Sequence, residues 1–196
     1  MTLKDLLIFG PVMVASWFLF TYFWPRLLLS IYKRAILVRG IGEGPIPVNT
    51  LSTEPQAIFA DPLHPRASAS RLATTGVNRD TLPTVGWLDL RKGPLVLHVP
   101  DMAGRYYSVQ FTDPSKNTNI AYVGKRTTGT QAGEFLITGP NWKGTVPQGM
   151  QRIPSPANSM FVLGRVLVES AGDLPIAHDL STRITLSPLI STRTNR

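Results

Sequence analysis

The feature that most constrains this chain is a long uncharged segment close to its N-terminus. Residues 6–24 (LLIFGPVMVASWFLFTYFW) are 19 consecutive residues without a charged side chain. As a helix, this segment would be roughly 28 Å long, close to the thickness of the hydrocarbon core of a bilayer. Trp17, Tyr22 and Trp24 stand toward its C-terminal end, where aromatic side chains favour the level of the lipid headgroups. The segment therefore predicts a transmembrane anchor.

Two other interpretations of the segment fit it less well. A cleaved signal peptide has a shorter apolar core and a small-x-small cleavage site, but here bulky aromatic residues stand where cleavage would occur. A buried helix of a globular core carries a polar stripe, and no 3.6-residue stripe of this segment is polar. We expect one span, followed by an interfacial helix over 27–38 in which Arg26, Lys33 and Arg34 meet lipid phosphates.

The remainder of the chain has the composition of a turn-rich β protein. The sequence contains 17 Pro and 16 Gly, which favours short strands over long helices. The absence of cysteine excludes disulfides, thiolate metal sites and cysteine nucleophiles. We divide the chain into an anchor with its interfacial helix (1–39), a proline-rich arm (40–75), a β domain (76–190) and a tail (191–196).

From residue 84 onward the apolar residues recur with period two. Residues 94–99 and 105–112 alternate in this way and are joined by PDMAG, which predicts a β-hairpin. Further strands are predicted over 87–90, 119–123, 134–138 and 160–168, and one short helix over 173–182 with Asp173 as its N-cap. Such spacing predicts an antiparallel sandwich, a jelly roll or a partly open barrel. We expect one β core that buries Trp87, Leu97, Val109, Phe111 and Leu163.

Several motifs in this part of the chain carry a resemblance to a known family. GVNRDTLPTVGWLDLRKGPLVLHVPDMAGRYYSVQFTD, NTNIAYVGKRTTGT, GEFLITGPNWKGTVPQGM and IPSPANSMFVLGRVLVES follow one another in this order. Together they resemble the domain-of-unknown-function 1254 family of bacterial proteins, over about 75–189. The resemblance implies a jelly-roll-like β fold and supplies no activity. Larger relatives are exported and carry a second β domain, of the 1214 family, for which this chain has no counterpart.

The sequence contains no catalytic motif and no metal-ligand spacing. The histidines are far apart in sequence, and GxSxG, Walker A and GxGxxG sequences are absent. Four cations and two hydroxyl groups could converge on an anionic ligand or a partner: Arg79, Arg105, Lys125, Arg126, Thr127 and Thr128. The alternative is that these residues serve turns and exposed loops. We predict no cofactor, no metal and no nucleic-acid binding, since the basic residues are dispersed.

Two functions remain open. The first is a non-catalytic, membrane-anchored accessory subunit that stabilises a membrane protein complex, for example a photosynthetic or respiratory one. The second is an envelope enzyme or anionic-ligand-binding protein that works with a 1214-family partner chain. Four basic residues follow the span and one precedes it, which favours a cytoplasmic domain. The family resemblance favours export, and we place the domain in the periplasm, anchored in the bacterial inner membrane.

Overall fold

The structure is a computed structural model that describes residues 3–41, 44–60, 80–116 and 118–189, and of residues 3–9, 58 and 60 only the main chain. The helices are α1 (Leu3–Arg39), α2 (Gln56–Ala60) and α3 (Leu174–Thr182), with 3-10 turns at Leu90–Lys92 and Ala171–Asp173. The strands are β1 (Leu51–Thr53), β2 (Thr81–Asp89), β3 (Leu95–Val99), β4 (Tyr107–Asp113), β5 (Thr118–Gly124), β6 (Gly133–Thr138), β7 (Gln151–Pro154), β8 (Ser159–Leu167) and β9 (Thr185–Pro188). The described part is therefore mainly β, with an apolar N-terminal helix.

The long N-terminal helix, α1, has 37 residues and continues through Pro11 and Pro25. Its stretch Gly10–Arg39, with a mean hydropathy of 1.4, is long and apolar enough to cross a membrane, judged by length and composition. The helix does not end at Pro25. The predicted interfacial segment (27–38) is part of the same helix, so α1 passes without a break toward the β domain.

Within the described residues, nine strands form two sheets. The five-stranded sheet has the order β1-β2-β8-β4-β5 and is antiparallel throughout. The four-stranded sheet has the order β7-β6-β3-β9 and is antiparallel except for the parallel pair β6 and β7. Both sheets contribute side chains to one buried cluster. The fold class predicted from period two is thus confirmed at the level of two sheets around a shared core.

The shared core lies between the inner faces of the two sheets. In β4, burial alternates residue by residue, and Tyr107, Val109 and Phe111 are at most 1% exposed. Leu97 of β3 and Ile137 of β6 are each 0% exposed and belong to this core. The alternation exists because successive side chains of a strand point to opposite faces, so one face packs while the other stays partly solvated.

The predicted hairpin of 94–99 and 105–112 is wrong. β3 pairs with β6 and β9, whereas β4 pairs with β5 and β8, so the two strands belong to different sheets. Their connection passes the buried Met102 and turns at Ala103 and Gly104, which have φ values of 49° and 79°. Turn residues of this kind also make a corner between two sheets. Period two tells which face a side chain occupies and says nothing about the partner strand.

A second apolar layer covers part of the outer face of the five-stranded sheet. Ile36 of α1 is 1% exposed and packs with Val85 and Trp87 of β2, which are 7% and 2% exposed. Leu163 is only partly buried and belongs to this same layer, together with Phe161. Leu97, Val109 and Phe111 lie in the inner core as predicted, but Trp87 and Leu163 lie outside it. From the sequence, apolar side chains on the outer face cannot be told from those of the inner core. Only the packed helix reveals the second layer.

Several segments without periodicity contribute to the sheets. β1, in the predicted arm, pairs with β2 through Leu51↔Gly86 and its neighbours, and Gly86 leaves no room for a Cβ against Thr50. β7 and β9 are strands of four residues that the sequence does not signal. The predicted short helix is present as α3, with Pro175 in its first turn. Asp173 stands at its N-cap, but its side chain forms no capping hydrogen bond.

Candidate functional site

A cleft opens where α1 meets one end of the five-stranded sheet. Its volume is about 450 Å³, and it is lined by Leu29, Ser30 and Lys33 of α1 and by residues from the ends of three strands. The polar lining from the β domain consists chiefly of Asp89, Arg91, Asp113, Ser115, Asn158 and Ser159. A concave site with a few convergent polar groups is the usual setting for a ligand. We define these residues as the junction cleft.

One wall of the junction cleft is the contact between α1 and β2. The Lys33 ammonium lies 5.0 Å from the centroid of the Trp87 ring. Trp87 is 2% exposed, and its indole N–H donates to the Ser159 hydroxyl across 2.8 Å. The ring is therefore fixed, and a cation over such a face is attracted by the ring's quadrupole. This wall places a positive charge at the edge of the cleft.

A second wall is formed by Asp89 and Arg91, which bind each other. Asp89 closes β2 and caps the following 3-10 turn by accepting the Arg91 backbone N–H across 3.1 Å. The Arg91 Nε donates to both carboxylate oxygens, at 2.8 and 3.0 Å, and Nη2 adds a further contact. The hydrogen bonds from Arg91 are the largest cause that lowers the pKa of Asp89 to about 2, and the charge of Lys33 adds to the effect. These two side chains neutralise one another.

Asp113 ends β4 and is 2% exposed. Its Oδ1 accepts hydrogen bonds from the Ser115 backbone N–H at 2.9 Å and from the Ser115 hydroxyl at 2.6 Å. Its Oδ2 is buried and has no hydrogen-bond partner among the described residues. A buried carboxylate oxygen without a donor costs free energy, and such atoms in a native fold call for an explanation.

The sequence did not identify the junction cleft. Arg91 and Asp113 stand in dipeptides that predict turns, and Lys33 was predicted to meet lipid. Nothing in the linear pattern indicates that α1 would dock beside the ends of β2 and β4. Only the tertiary arrangement brings the residues of the junction cleft together.

The predicted anionic-ligand set is divided by the structure. Arg105 forms a paired contact with Asp173: its Nη1 and Nη2 donate to the two carboxylate oxygens at 2.5 and 2.6 Å. Both side chains are mostly buried, at 13% and 15% exposed. The Arg105 guanidinium holds the pKa of Asp173 below its usual range. Arg105 thus fastens α3 to β4 and β8, also through the Leu167 carbonyl at 2.7 Å.

The other members of that set lie in the turn after β5. Lys125 donates to the Gly104 carbonyl at 2.7 Å, and the Arg126 guanidinium lies 5.7 Å from the Tyr106 ring centroid. Thr127 donates to the Tyr122 carbonyl at 3.0 Å, and Thr128 accepts from the Gly124 backbone N–H at 3.0 Å. Lys125 and Arg126 therefore contact the segment that carries Arg105, whereas Thr127 and Thr128 bond within the turn and the end of β5. Arg79 lies outside the described residues.

The predicted membrane-interface residues all lie on α1. Trp17, Tyr22 and Trp24 are 62%, 54% and 46% exposed. Arg26 turns back along the helix: its guanidinium lies 3.6 Å from the Tyr22 ring centroid and donates to the Tyr22 carbonyl. Arg34 is exposed, whereas Lys33 belongs to the junction cleft.

A hydrogen-bonded chain of three side chains crosses the outer face of the four-stranded sheet. His98 Nδ1 lies 2.9 Å from Glu134 Oε1, and His98 Nε2 lies 2.7 Å from the Ser187 hydroxyl. The order Ser–His–Glu is that of a hydrolytic triad. His98 and Glu134 are 37% and 47% exposed, on neighbouring strands β3 and β6. Ser187 lies on β9, a strand that the sequence does not signal, so sequence reasoning missed this chain. Its residues do not line the junction cleft.

Within the part of the chain that the structure describes, no three His, Asp or Glu side chains form a group that could hold a metal ion. The junction cleft therefore offers hydrogen bonds and charge. On this geometry it suits a ligand that carries both an anionic and a cationic group.

Comparison with known proteins places the chain in a family. The model described as "Protein of unknown function (DUF1254)" matches residues 60–188. No curated protein matches the chain. Among solved structures, the VPA0106 protein from Vibrio parahaemolyticus is 30% identical with a TM-score of 0.54, over 58% of this chain and 29% of that chain. An uncharacterised protein from Burkholderia cenocepacia is 11% identical with a TM-score of 0.39, over 61% of this chain and 31% of that chain.

This chain thus spans less than a third of the length of either solved protein. The family match covers well over half of the chain and includes β2 to β9. The resemblance carried by the sequence motifs is confirmed, and the protein belongs to the DUF1254 family of proteins of unknown function.

Proposed function

We propose that this protein is a non-catalytic accessory subunit that α1 anchors in the bacterial inner membrane and that stabilises a membrane protein complex, for example a photosynthetic or respiratory one. One observation carries the proposal. A single unbroken helix leaves its first part unpacked by the protein and fixes the β domain on its last part. A domain held in this way keeps a defined position above the membrane.

The unpacked part of α1 supports the anchor. Apolar side chains around its whole circumference are about half exposed or more, including Val12, Trp17, Phe20, Tyr22 and Phe23. In water such a surface would be unfavourable, at roughly 25 cal/mol for each Å² of apolar area. Lipid chains or the helices of other subunits are the environments that suit it. The large aromatic side chains provide the shape with which a neighbouring helix can pack.

The test separates insertion from assembly. The full chain is extracted with a mild detergent, and the size and composition of the purified particle are measured beside the triple variant Trp17→Leu, Phe20→Leu and Phe23→Leu. Leucine preserves hydrophobicity, so the variant should remain in carbonate-washed membranes while it loses partners that co-purify at fixed stoichiometry. Wild type and variant that both behave as isolated chains would refute the accessory-subunit role.

We place the β domain in the periplasm. The basic residues after the span argue against this side, but the protein itself engages two of them. Arg26 stacks on Tyr22, and Lys33 lies over Trp87. A charge that is held by its own chain contributes less to orientation than a free one, and the positive-inside rule is a bias rather than a law. The variant Lys143→Cys, in an exposed loop, should react with an impermeant maleimide once only the outer membrane is opened. Reaction only after inner-membrane lysis would place the domain in the cytoplasm.

The fold proposed for the domain is jelly-roll-like. Along the chain, β3 lies in the four-stranded sheet, β4 and β5 in the five-stranded sheet, β6 and β7 in the former, and β8 in the latter. Such repeated passage between two sheets supports the proposal, because jelly rolls are built from strands that alternate between their sheets. An experimental structure that shows the two sheets apart, without a common core, would reject it.

A second candidate function is that of an envelope enzyme or anionic-ligand-binding protein that works with a 1214-family partner chain. The observation that favours an enzyme is the chain Ser187–His98–Glu134, in which His98 could accept the proton of the Ser187 hydroxyl. Incubation with a fluorophosphonate probe tests it. Labelling that is lost in Ser187→Ala but retained in Thr185→Ala would support this candidate, and no labelling in the presence of the partner would reject it.

A further inference from the structure

We propose that the junction cleft binds the headgroup of a zwitterionic phospholipid of the ethanolamine class, with the lipid phosphate at Lys33 and the lipid ammonium at Asp113. The inference rests on the membrane anchoring proposed above. It adds a ligand to that function, and it identifies a site in which the anchor helix and the β domain each supply one of the two charged groups.

The position of the cleft along α1 is the first argument. Leu27 and Leu28 are 51% and 38% exposed and are the last exposed leucines of the helix before the cleft. Ser30 and Lys33 follow Leu28 by about 3 and 8 Å along the helix axis, at 1.5 Å for each residue. The polar headgroup layer on one side of a bilayer is about 5–8 Å thick. The cleft therefore lies at the depth of the headgroups when the leucines lie in the hydrocarbon.

The charges of the cleft are the second argument. Asp89 and Arg91 are occupied with each other through several hydrogen bonds. Lys33 forms no ion pair with a carboxylate of the described residues; its ammonium lies over Trp87 instead. Asp113 retains a buried oxygen without a donor in the described part of the chain. What remains for a ligand is therefore one cation, on α1, and one acceptor, at the end of β4.

A zwitterion matches this pair better than an ion of either sign. A purely anionic headgroup would meet the Lys33 ammonium but would also approach Asp113. A purely cationic ligand would meet Asp113 but would be repelled by Lys33. A phosphoethanolamine group offers an anionic phosphate and a primary ammonium, and hydrogen bonds between charged partners are the strong ones. Choline is a poorer fit, because its methylated nitrogen has no N–H to donate to Asp113.

The turn after β4 is the entrance for the ammonium. Pro114 and Ser115 line the cleft together with Asp113, and Ser115 is exposed. Its hydroxyl and backbone N–H occupy only Oδ1 of Asp113. In the proposed complex the turn moves to admit the ammonium, which then supplies a hydrogen bond to Oδ2.

The experiment uses the full chain in detergent micelles, titrated calorimetrically with short-chain dihexanoyl lipids. Phosphatidylethanolamine should bind at least about tenfold more tightly than phosphatidylglycerol or phosphatidylcholine, since the ammonium must donate hydrogen bonds. Lys33→Gln should weaken binding of phosphatidylethanolamine about tenfold, and Asp113→Asn should abolish its advantage over phosphatidylcholine. Lys143→Gln removes a charge from an exposed loop outside the cleft and should leave all affinities unchanged.

Two results would overturn the proposal: phosphatidylglycerol binding as tightly as phosphatidylethanolamine, or affinities that neither Lys33→Gln nor Asp113→Asn alters in protein of unchanged melting temperature. The first would identify a site for anionic lipid. Because short-chain lipids are added in solution, the measurement does not require the helix to span a bilayer. Carbonate extraction of the same proteins reports separately on anchoring, so the failure of one proposal is distinguishable from the failure of the other.

Discussion

The two parts of α1 have similar apolar content but different surroundings. Over 12–28, large apolar side chains project away from the rest of the protein, with Met13 71% and Phe18 61% exposed. From Leu29 onward, the same helix packs on the β domain, and Ile36 is 1% exposed. Side chains of one kind are thus exposed in one part of the helix and form a packing layer in the other.

Two strands of the five-stranded sheet, β2 and β4, also differ in how their residues are buried. β4 has alternating buried and partly exposed residues, as expected for a strand with one packed face. In β2, five consecutive residues, 84–88, are buried, because the inner core covers one face and α1 helps to cover the other. A loss of alternation in a strand can therefore indicate that a helix packs on the outer face of its sheet.

The largest loss of stability is expected from a substitution in the inner core. The effects of substitutions in the helix layer are compared with it. Phe111 is 0% exposed, and Phe111→Ala should reduce the free energy of unfolding by about 3–5 kcal/mol. For a chain of this size, the melting temperature should fall by about 10 °C. Thermal unfolding in detergent measures this, and carbonate-washed membranes should still retain the variant. A melting temperature that stays at the wild-type value would show that Phe111 is not a core residue.

The next largest effect is expected on membrane insertion, from a substitution in the exposed part of α1. Ala15 is exposed and lies at the midpoint of the uncharged segment 6–24, and Ala15→Arg should disfavour insertion by about 2.5–3.5 kcal/mol. The variant should shift toward the carbonate-soluble fraction. Ala15→Leu is the matched control and should fractionate as wild type. If the arginine variant is retained as firmly as wild type, the helix does not depend on a hydrocarbon environment.

A smaller effect is expected in the packed part of the helix. Ile36→Ala removes a side chain between α1 and β2, at about 2 kcal/mol, the low end of such truncations, since a layer at the rim of the fold can partly collapse. The loosened helix should expose Trp87 and shift its fluorescence to longer wavelength. Val38, which is 57% exposed on the same helix, provides the control Val38→Ala. Equal spectra for both variants would argue that the helix is not docked.

The smallest change in stability is expected from the Asp89–Arg91 ion pair, which lies where α1 meets the five-stranded sheet. Since the folded-state pKa of Asp89 is lowered to about 2, from about 3.9 in an unfolded chain, its ion pair stabilises the protein above about pH 4. That contribution should disappear as the pH falls toward 2, by at most about 1 kcal/mol for a pair with an exposed arginine. The stability difference between wild type and Asp89→Asn, measured from pH 6 to pH 2, should shrink over this window. A stability difference that does not change with pH would contradict a stabilising role for the Asp89–Arg91 ion pair.

Much of the fold could be predicted because strands have a local signature. The alternation of Tyr107, Val109 and Phe111 identifies β4 and its buried face without any knowledge of the partner strand. The pairing of β3 with β6 and β9 could not be predicted, since a turn between sheets and a hairpin turn use the same residue types. The candidate site was harder to predict from the sequence than the fold. From the sequence, Arg105 could contact an anionic ligand or a partner or serve a structural role, and the structure shows its ion pair with Asp173.

The sequence by itself determined the long apolar helix, the β character of the domain and the family. Each of these depends on residues that are neighbours in the chain: an uninterrupted apolar run, a period of two, and motifs in a fixed order. The tertiary structure was needed to show that Lys33 faces Trp87, that Asp113 Oδ2 has no hydrogen-bond partner among the described residues, and that His98 connects Glu134 to Ser187. Those contacts join elements that are far apart in the sequence. Their geometry depends on how helix and sheets pack, which no local pattern encodes.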